Sequence, residues 1–121
     1  MLFRSPIAAI CHGVLVAARS QVGGRSALHG LRTTCLPRYM ERSAYLATFW
    51  RRGRYYRTYP AYVEDEVRAA GAAFETGPML ASYANPFVVE DGSLLTARWP
   101  GDASGFADAL VRRLAGARAA A

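Results

Sequence analysis

Cys11 and His12 stand side by side at the end of an apolar run, Pro6-Ile7-Ala8-Ala9-Ile10, and are followed by Gly13 and a second apolar stretch beginning at Val14. A strand-like run that stops at a cysteine and restarts as a small-residue helix has the layout of a nucleophile elbow, in which a sharp strand-to-helix turn exposes the nucleophile. The sulfur would lie near the positive end of the helix, which predicts a thiol pKa lowered from about 8.5 toward the range of roughly 3.5 to 7.5. Gly13, lacking a Cβ, would let backbone and substrate approach the thiol closely. His12 could supply a proton or a hydrogen bond. The competing readings are plainer: a buried structural cysteine, which is the usual fate of cysteine in an apolar run, and a helix-start histidine whose ring points elsewhere.

The elements that must position this pair follow from periodicity. After the strand at Ile7 to Ile10, residues His12 to Ser20 read as a helix with Val14, Leu15 and Ala18 inward, stopped by Gly23-Gly24. Leu31 to Leu36 reads as a short strand holding Cys35, and Pro37 opens a helix to about Arg52 with Met40, Ala44, Ala47 and Trp50 on one face. A further helix spans about Ala61 to Ala70, with Val63 and Val67 inward and its acids early. Strand-like pieces follow at Ala72 to Glu75, Phe87 to Val89 and Leu94 to Ala97, the last two joined by a turn containing Asp91-Gly92. The final helix runs from about Asp102, a plausible N-cap, to Leu114, with Phe106, Ala109, Leu110 and Leu114 at core spacing.

Other chemistry-bearing residues carry less. His29 sits in a loop-like context with no second ligand at metal spacing, so no zinc site is predicted. There is no phosphate-binding glycine loop and no metal-ligand cluster, and no cofactor is expected. The segment 50–62, WRRGRYYRTYPAY, interleaves Arg51, Arg52, Arg54 and Arg57 with four tyrosines, a mixture that binds phosphates and stacks on bases but also suits interfaces. Arg98, in Thr96-Ala97-Arg98-Trp99-Pro100, is a candidate anion ligand or a structural residue.

With 121 residues, 52% of them hydrophobic, the chain is one small domain with enough apolar material for a core. The net charge is +6 and all 15 basic residues are arginine. Arginine without lysine beside abundant alanine and glycine reads as a coding bias, so nucleic-acid binding is not predicted from charge. Two cysteines are too few for a disulfide scaffold and fit a reduced, cytoplasmic protein. The apolar stretch ending near Ala18 is shorter than the roughly 20 residues of a membrane span and is interrupted by His12-Gly13, so neither an anchor nor a secretory leader is expected.

AICHG after a β-run, together with VVEDGSLLTARWPGDASGFADALVRRL, resembles the C-terminal half of the ThiJ/PfpI family of the class I glutamine amidotransferase-like superfamily, from about Pro6 to Leu114. The resemblance implies a flavodoxin-like three-layer α/β/α sandwich whose N-terminal strands are missing. Cys11 matches the reactive cysteine, His12 the histidine that follows it, and the backbone N–H groups of His12 and Gly13 the oxyanion site. The family's partner glutamate and second oxyanion loop lie before the elbow, where this chain has ten residues. Residues 1–115 are therefore expected to be the C-terminal portion of such a domain, marginally stable or reliant on association, and residues 116–121 a disordered Ala-rich tail. Neither His12 nor His29 is followed by the His-x-Glu companion of a glutaminase triad. The implied chemistry is a cysteine-dependent hydrolase, or glyoxalase or deglycase-type carbonyl chemistry on a small-molecule or peptide substrate, in a chain prone to homo-oligomerise, with segment 50–62 at the site rim or a subunit contact. The alternative is a non-enzymatic, redox-responsive or partner-binding protein in which oxidation of Cys11 alters an interface.

Overall fold

A β-branched and leucine-rich strand buried on both faces organises the chain. In a computed structural model, which describes residues 5–48, 50, 61–79 and 83–120, that strand is β7 (Leu94–Ala97), with all four residues buried. It is flanked by β1 (Ile7–Ile10), parallel to it, and by β6 (Val88–Asp91), antiparallel to it, in the order β1-β7-β6. Ile7 lies opposite Leu94 and Ile10 opposite Ala97. A central strand covered on both faces has no solvent side to alternate toward, which is why LLTA is a continuous run rather than an alternating one. The β6–β7 hairpin turns on Gly92, whose φ of +58° is a conformation that glycine adopts without steric cost. The predicted Asp91-Gly92 turn is therefore observed.

Between β1 and β6 the chain runs through a 3-10 turn (Cys11–Gly13), α1 (Val14–Arg19), the small hairpin β2 (Gln21–Val22) and β3 (Arg25–Ser26), β4 (Arg32–Thr33), α2 (Arg38–Thr48), α3 (Val63–Ala69) and β5 (Ala73–Phe74). After β7, a second 3-10 turn (Pro100–Asp102) leads into α4 (Ala103–Ala120). Side chains alternate across a sheet, so Ile7, Ala9 and Leu94 share one face. There they pack with Val14, Leu15 and Ala18 of α1 and Val63 and Val67 of α3. The α4 helix packs against β7 and β6, on the face that Leu95 and Ala97 present. Helix, sheet and helix thus form the layers of an α/β sandwich, as expected for a flavodoxin-like fold. Arg19 and Glu66 clip α1 to α3 through two hydrogen bonds of 3.1 and 2.9 Å, in a half-exposed setting worth at most about 1 kcal/mol.

Several elements differ from their sequence-based outlines. The Leu31 to Leu36 strand shortens to Arg32–Thr33: the Leu31 and Thr33 carbonyls accept from the β5 segment, while the Thr34 N–H, on the opposite edge, donates to Thr96 Oγ1 at 3.0 Å. On α2, Trp50 lies beyond the helix end and is 66% exposed, so the inward face is made by Pro37, Met40, Glu41 and Ala44 rather than continuing to residue 50. Leu114 is exposed as α4 outruns the sheet. The arginine- and tyrosine-rich stretch 51–60 lies outside the described residues. No helix among them is long and apolar enough to cross a membrane.

Among the described strands, β1 pairs only with β7. Beside its other edge runs an apolar groove of about 610 Å³, lined in part by Ala8, Ile10, Val16 and Val22, of which Val16 and Val22 are largely exposed.

Candidate active site

The turn between β1 and α1 places the sulfur. Cys11 has φ +59° and is the one non-glycine residue with positive φ among those described. An L-residue held in this left-handed region costs roughly 1–2 kcal/mol, because its Cβ crowds the carbonyl oxygen. Such outliers persist where surrounding structure over-determines them and gather at functional sites. The hydrogen-bonding of β1 on one side and the helical turn from Cys11 into α1 on the other fix the geometry here. One expected outcome is an inverted ranking of small substitutions: Cys11→Gly should be more stable than Cys11→Ala by about 1 kcal/mol, the reverse of the usual order. Equilibrium urea unfolding of the two variants measures the difference, and equal midpoints would mean the backbone relaxes without the side chain.

The two sequence candidates are brought together. Cys11 Sγ lies 3.5 Å from His12 Nδ1, so the adjacent side chains do face one another across the turn. The other ring nitrogen, Nε2, lies 3.5 Å from Glu41 Oε1. Glu41 belongs to the first turn of α2 and is only 5% exposed. Its second oxygen accepts a hydrogen bond from the Val63 N–H at 3.1 Å, at the start of α3. A carboxylate buried this way is held in place by a backbone donor on a second helix, with Oε1 at ion-pair distance from the imidazole but short of hydrogen-bond geometry. Sulfur, imidazole and carboxylate thus follow one another at 3.5 Å spacings, long for hydrogen bonds; catalytic contacts are often long in ligand-free sites.

Glu41 is the site candidate that sequence reasoning did not single out. The sequence pointed to an acid upstream of Cys11; Glu41 lies 30 residues downstream of it. Its signal was a glutamate among Pro37, Met40 and Ala44 at helical inward spacing, where a charged residue has no packing reason to sit.

Gly13 departs from expectation. Its φ is −61°, and a Cβ added there would meet nothing within 4 Å. No steric need for glycine exists at this position, and the side it presents is the groove along β1 rather than the space beside Cys11.

The thiol pKa also moves against expectation. Burial pushes Cys11 above its ordinary value of 9.0; the backbone N–H of His12 pulls it back, and the charge of Glu41 adds to the rise. A helix terminus of one short turn does not outweigh desolvation of the charged sulfur. A thiol shifted in this direction favours its neutral form and would need a base to react. Cys35, buried in the core, has its thiol pushed up further by desolvation.

Beside the sulfur lies a cavity of about 540 Å³, lined by Cys11, His12, Leu36, the α2 residues Tyr39, Met40, Ser43 and Ala44, and Met79, Trp99 and Pro100. The size suits a small-molecule site. Its far wall is secured by a buried network. Arg98, fully buried, is not an open anion ligand: its Nε and Nη2 donate to the two oxygens of Asp102 at 3.0 and 3.2 Å, and its Nη1 donates to the Pro78 carbonyl at 2.9 Å. Asp102, the predicted cap of α4, also accepts from the N–H groups of Phe87 and Arg98. The Tyr39 hydroxyl donates to the Met79 carbonyl at 3.1 Å, tying that wall to α2. A Cβ at Gly101 would collide with the Trp99 indole, so glycine there lets the ring lie against the backbone.

His29 is exposed, and its ring packs over Gly71, whose φ is +88°. Among the described residues no group of three or more His, Cys, Asp or Glu is placed to hold a metal ion.

No family profile and no curated protein matches the chain in sequence. Solved structures do match in three dimensions. The 24 kDa rapid encystment protein of Francisella tularensis is similar over 92% of this chain and 44% of its own length, with a TM-score of 0.74 and 24% identity. A second solved structure covers 92% of this chain and 45% of its own, with a TM-score of 0.73 and 26% identity. Glyoxalase III of Candida albicans covers 89% and 43%, with a TM-score of 0.67 and 17% identity. The chain thus spans less than half the length of each of these proteins, and over that span it has their α/β, flavodoxin-like fold.

Proposed function

We propose that this chain carries the nucleophilic centre of a ThiJ/PfpI-type enzyme, in which Cys11 attacks a carbonyl carbon, His12 takes and returns the proton, and Glu41 orients His12. The observation that carries this is the strained Cys11, φ +59°, with its sulfur facing His12 Nδ1 while Nε2 faces Glu41. Strain at the cysteine alone, or a histidine beside it alone, would be a packing accident; the aligned acid makes a nucleophile, base and orienter in sequence.

In this scheme the proton on Nε2 is held by Glu41, leaving Nδ1 unprotonated as the acceptor for the thiol proton. Sulfur then bonds to the carbonyl carbon and the π pair moves to oxygen. The N–H groups of His12 and Gly13 hold the resulting oxyanion. When the oxyanion collapses, the bond to the leaving group breaks and that group departs with the proton from Nδ1. Water, deprotonated by the same nitrogen, cleaves the thioester and regenerates the thiol. With an aldehyde there is no leaving group, and the same attack yields a hemithioacetal, the entry to glyoxalase-type chemistry. The glyoxalase III likeness supports that branch through fold only.

The second reading, an oxidation-responsive thiol, needs a low-pKa exposed thiolate, and the burial that raises Cys11 works against it. We also place the active species in a longer α/β assembly. The support is that the structural neighbours extend to more than twice the matched length and that β1, paired only with β7 among the described strands, has an apolar groove beside it.

The test is acetyl transfer from p-nitrophenyl acetate, followed by intact mass and peptide mapping. An acetyl group is expected on Cys11 in the wild type and in Cys35→Ser, and is not expected on the remaining Cys35 in Cys11→Ser. Equal labelling of Cys11→Ser and wild type would remove the proposal.

A further inference from the structure

The cavity beside Cys11 has walls of one chemical kind. Met40 and Met79 supply thioethers, Tyr39 and Trp99 rings, and Leu36 an aliphatic surface. Two hydroxyls also line it, and both protons are already committed: Ser43 Oγ donates to the Tyr39 carbonyl at 2.6 Å, and the Tyr39 hydroxyl donates to the Met79 carbonyl. Two described arginines adjacent in the chain to lining residues are turned to other partners. Arg98 is sealed against Asp102, and Arg38 at the start of α2 pairs with Asp65 and Glu64. Among the described residues, the lining includes no carboxylate, no arginine and no amide side chain.

Such walls discriminate in one direction. A charged or strongly hydrated group entering the cavity would give up water and find, in the described lining, little besides the His12 imidazole and two hydroxyl oxygens, whereas each buried methylene improves binding by about fourfold. The volume of about 540 Å³ also exceeds what a two- or three-carbon dicarbonyl fills, and a small ligand would leave apolar wall in contact with water. Two unbranched thioethers in the lining can adjust to chains or rings of different shape.

We infer that the carbonyl compound taken by Cys11 carries an uncharged apolar group, aliphatic or aryl, seated between α2 and the Met79–Trp99 wall. This rests on the proposal that Cys11 is the nucleophile. It specifies which carbonyls the centre selects: apolar acyl or aryl carbonyls over charged or small hydrophilic ones.

The experiment reads Cys11 alkylation, which needs the sulfur and the cavity but neither an oxyanion nor a leaving alcohol, so its result stands apart from that of acetyl transfer. Sulfur bonds to the methylene carbon as the carbon–iodine bond breaks; iodide leaves and the thiol proton passes to His12 or to buffer. Rates for iodoacetamide, N-hexyl-iodoacetamide and iodoacetate are each divided by the rate with free cysteine, and the site is verified by peptide mapping. The hexyl reagent is expected to gain at least about tenfold over iodoacetamide, and iodoacetate to fall below it. In Met79→Glu, a rim position 66% exposed and so tolerant of the change, the hexyl advantage should drop by about threefold or more. Equal normalised rates for the three reagents would overturn the apolar selection while leaving Cys11 a nucleophile. A folded protein whose Cys11 is modified by none of them would overturn both.

Discussion

Asp102→Ala is expected to cost the fold about 3–5 kcal/mol, a large share of the stability that a domain of this size has. Asp102 and Arg98 are both fully buried. Removing the carboxylate strands a guanidinium in the interior, and it also takes the acceptor from the N–H groups of Phe87 and Arg98. The guanidinium lies over the Phe87 ring at 4.9 Å and donates to the Pro78 carbonyl, so its displacement would loosen both the residue 78–79 wall and the start of β6. The pair is not thereby a net gain over an apolar core: a double Arg98→Met, Asp102→Leu variant should recover much of the lost stability, since it leaves neither charge behind. Urea midpoints for the single and double variants test this. A cost for Asp102→Ala below about 1 kcal/mol would mean that water reaches the guanidinium and the network is not sealed.

How far the residues foretold this architecture depended on how local each signal was. The strand-to-helix turn at Cys11 was legible because strand, cysteine, glycine and helix follow one another within eleven residues. The β6–β7 hairpin was legible for the same reason, with Asp91-Gly92 between two apolar runs. Arg98 and Asp102 are four residues apart, yet their pairing was hidden: burial of a charge depends on what packs around it, and Phe87 and Pro78 arrive from a distant loop. Glu41 was hidden more deeply. Its meeting with His12 depends on how α2 lies against the elbow and on the Val63 N–H that anchors its other oxygen. The direction of the Cys11 thiol shift was misjudged because a helix dipole can be read from order along the chain, whereas desolvation is a property of the packed site. Flavodoxin-like layering was carried by the resemblance in AICHG and the C-terminal segment, and the three-dimensional matches agree with it.

His12→Ala should slow single-turnover acetyl transfer to Cys11 by about 100-fold or more near neutral pH, the usual scale for loss of a positioned general base. The reason lies in the thiol itself. Burial holds Cys11 above 9.0, so without His12 the small ionised fraction must do all the reacting, and the variant's rate should keep climbing with pH past that value. The wild type, whose base removes the proton during attack, should depend far less on pH there. Glu41→Gln should lie between the two, with a loss of about tenfold, because an amide can also accept from the imidazole or donate to it and no longer enforces the tautomer that leaves Nδ1 as acceptor. The amide oxygen still accepts from the Val63 N–H, so Glu41→Gln should fold normally. Glu41→Ala should lose that bond as well and add about 1–3 kcal/mol of destabilisation. Measuring acetylation rate and urea midpoint on the same three variants separates the roles: a merely structural Glu41 would move the midpoint and leave the pH profile unchanged. If His12→Ala acetylates within threefold of the wild type at pH 7.5, the imidazole is not the base, and the carboxylate behind it has no catalytic geometry to support.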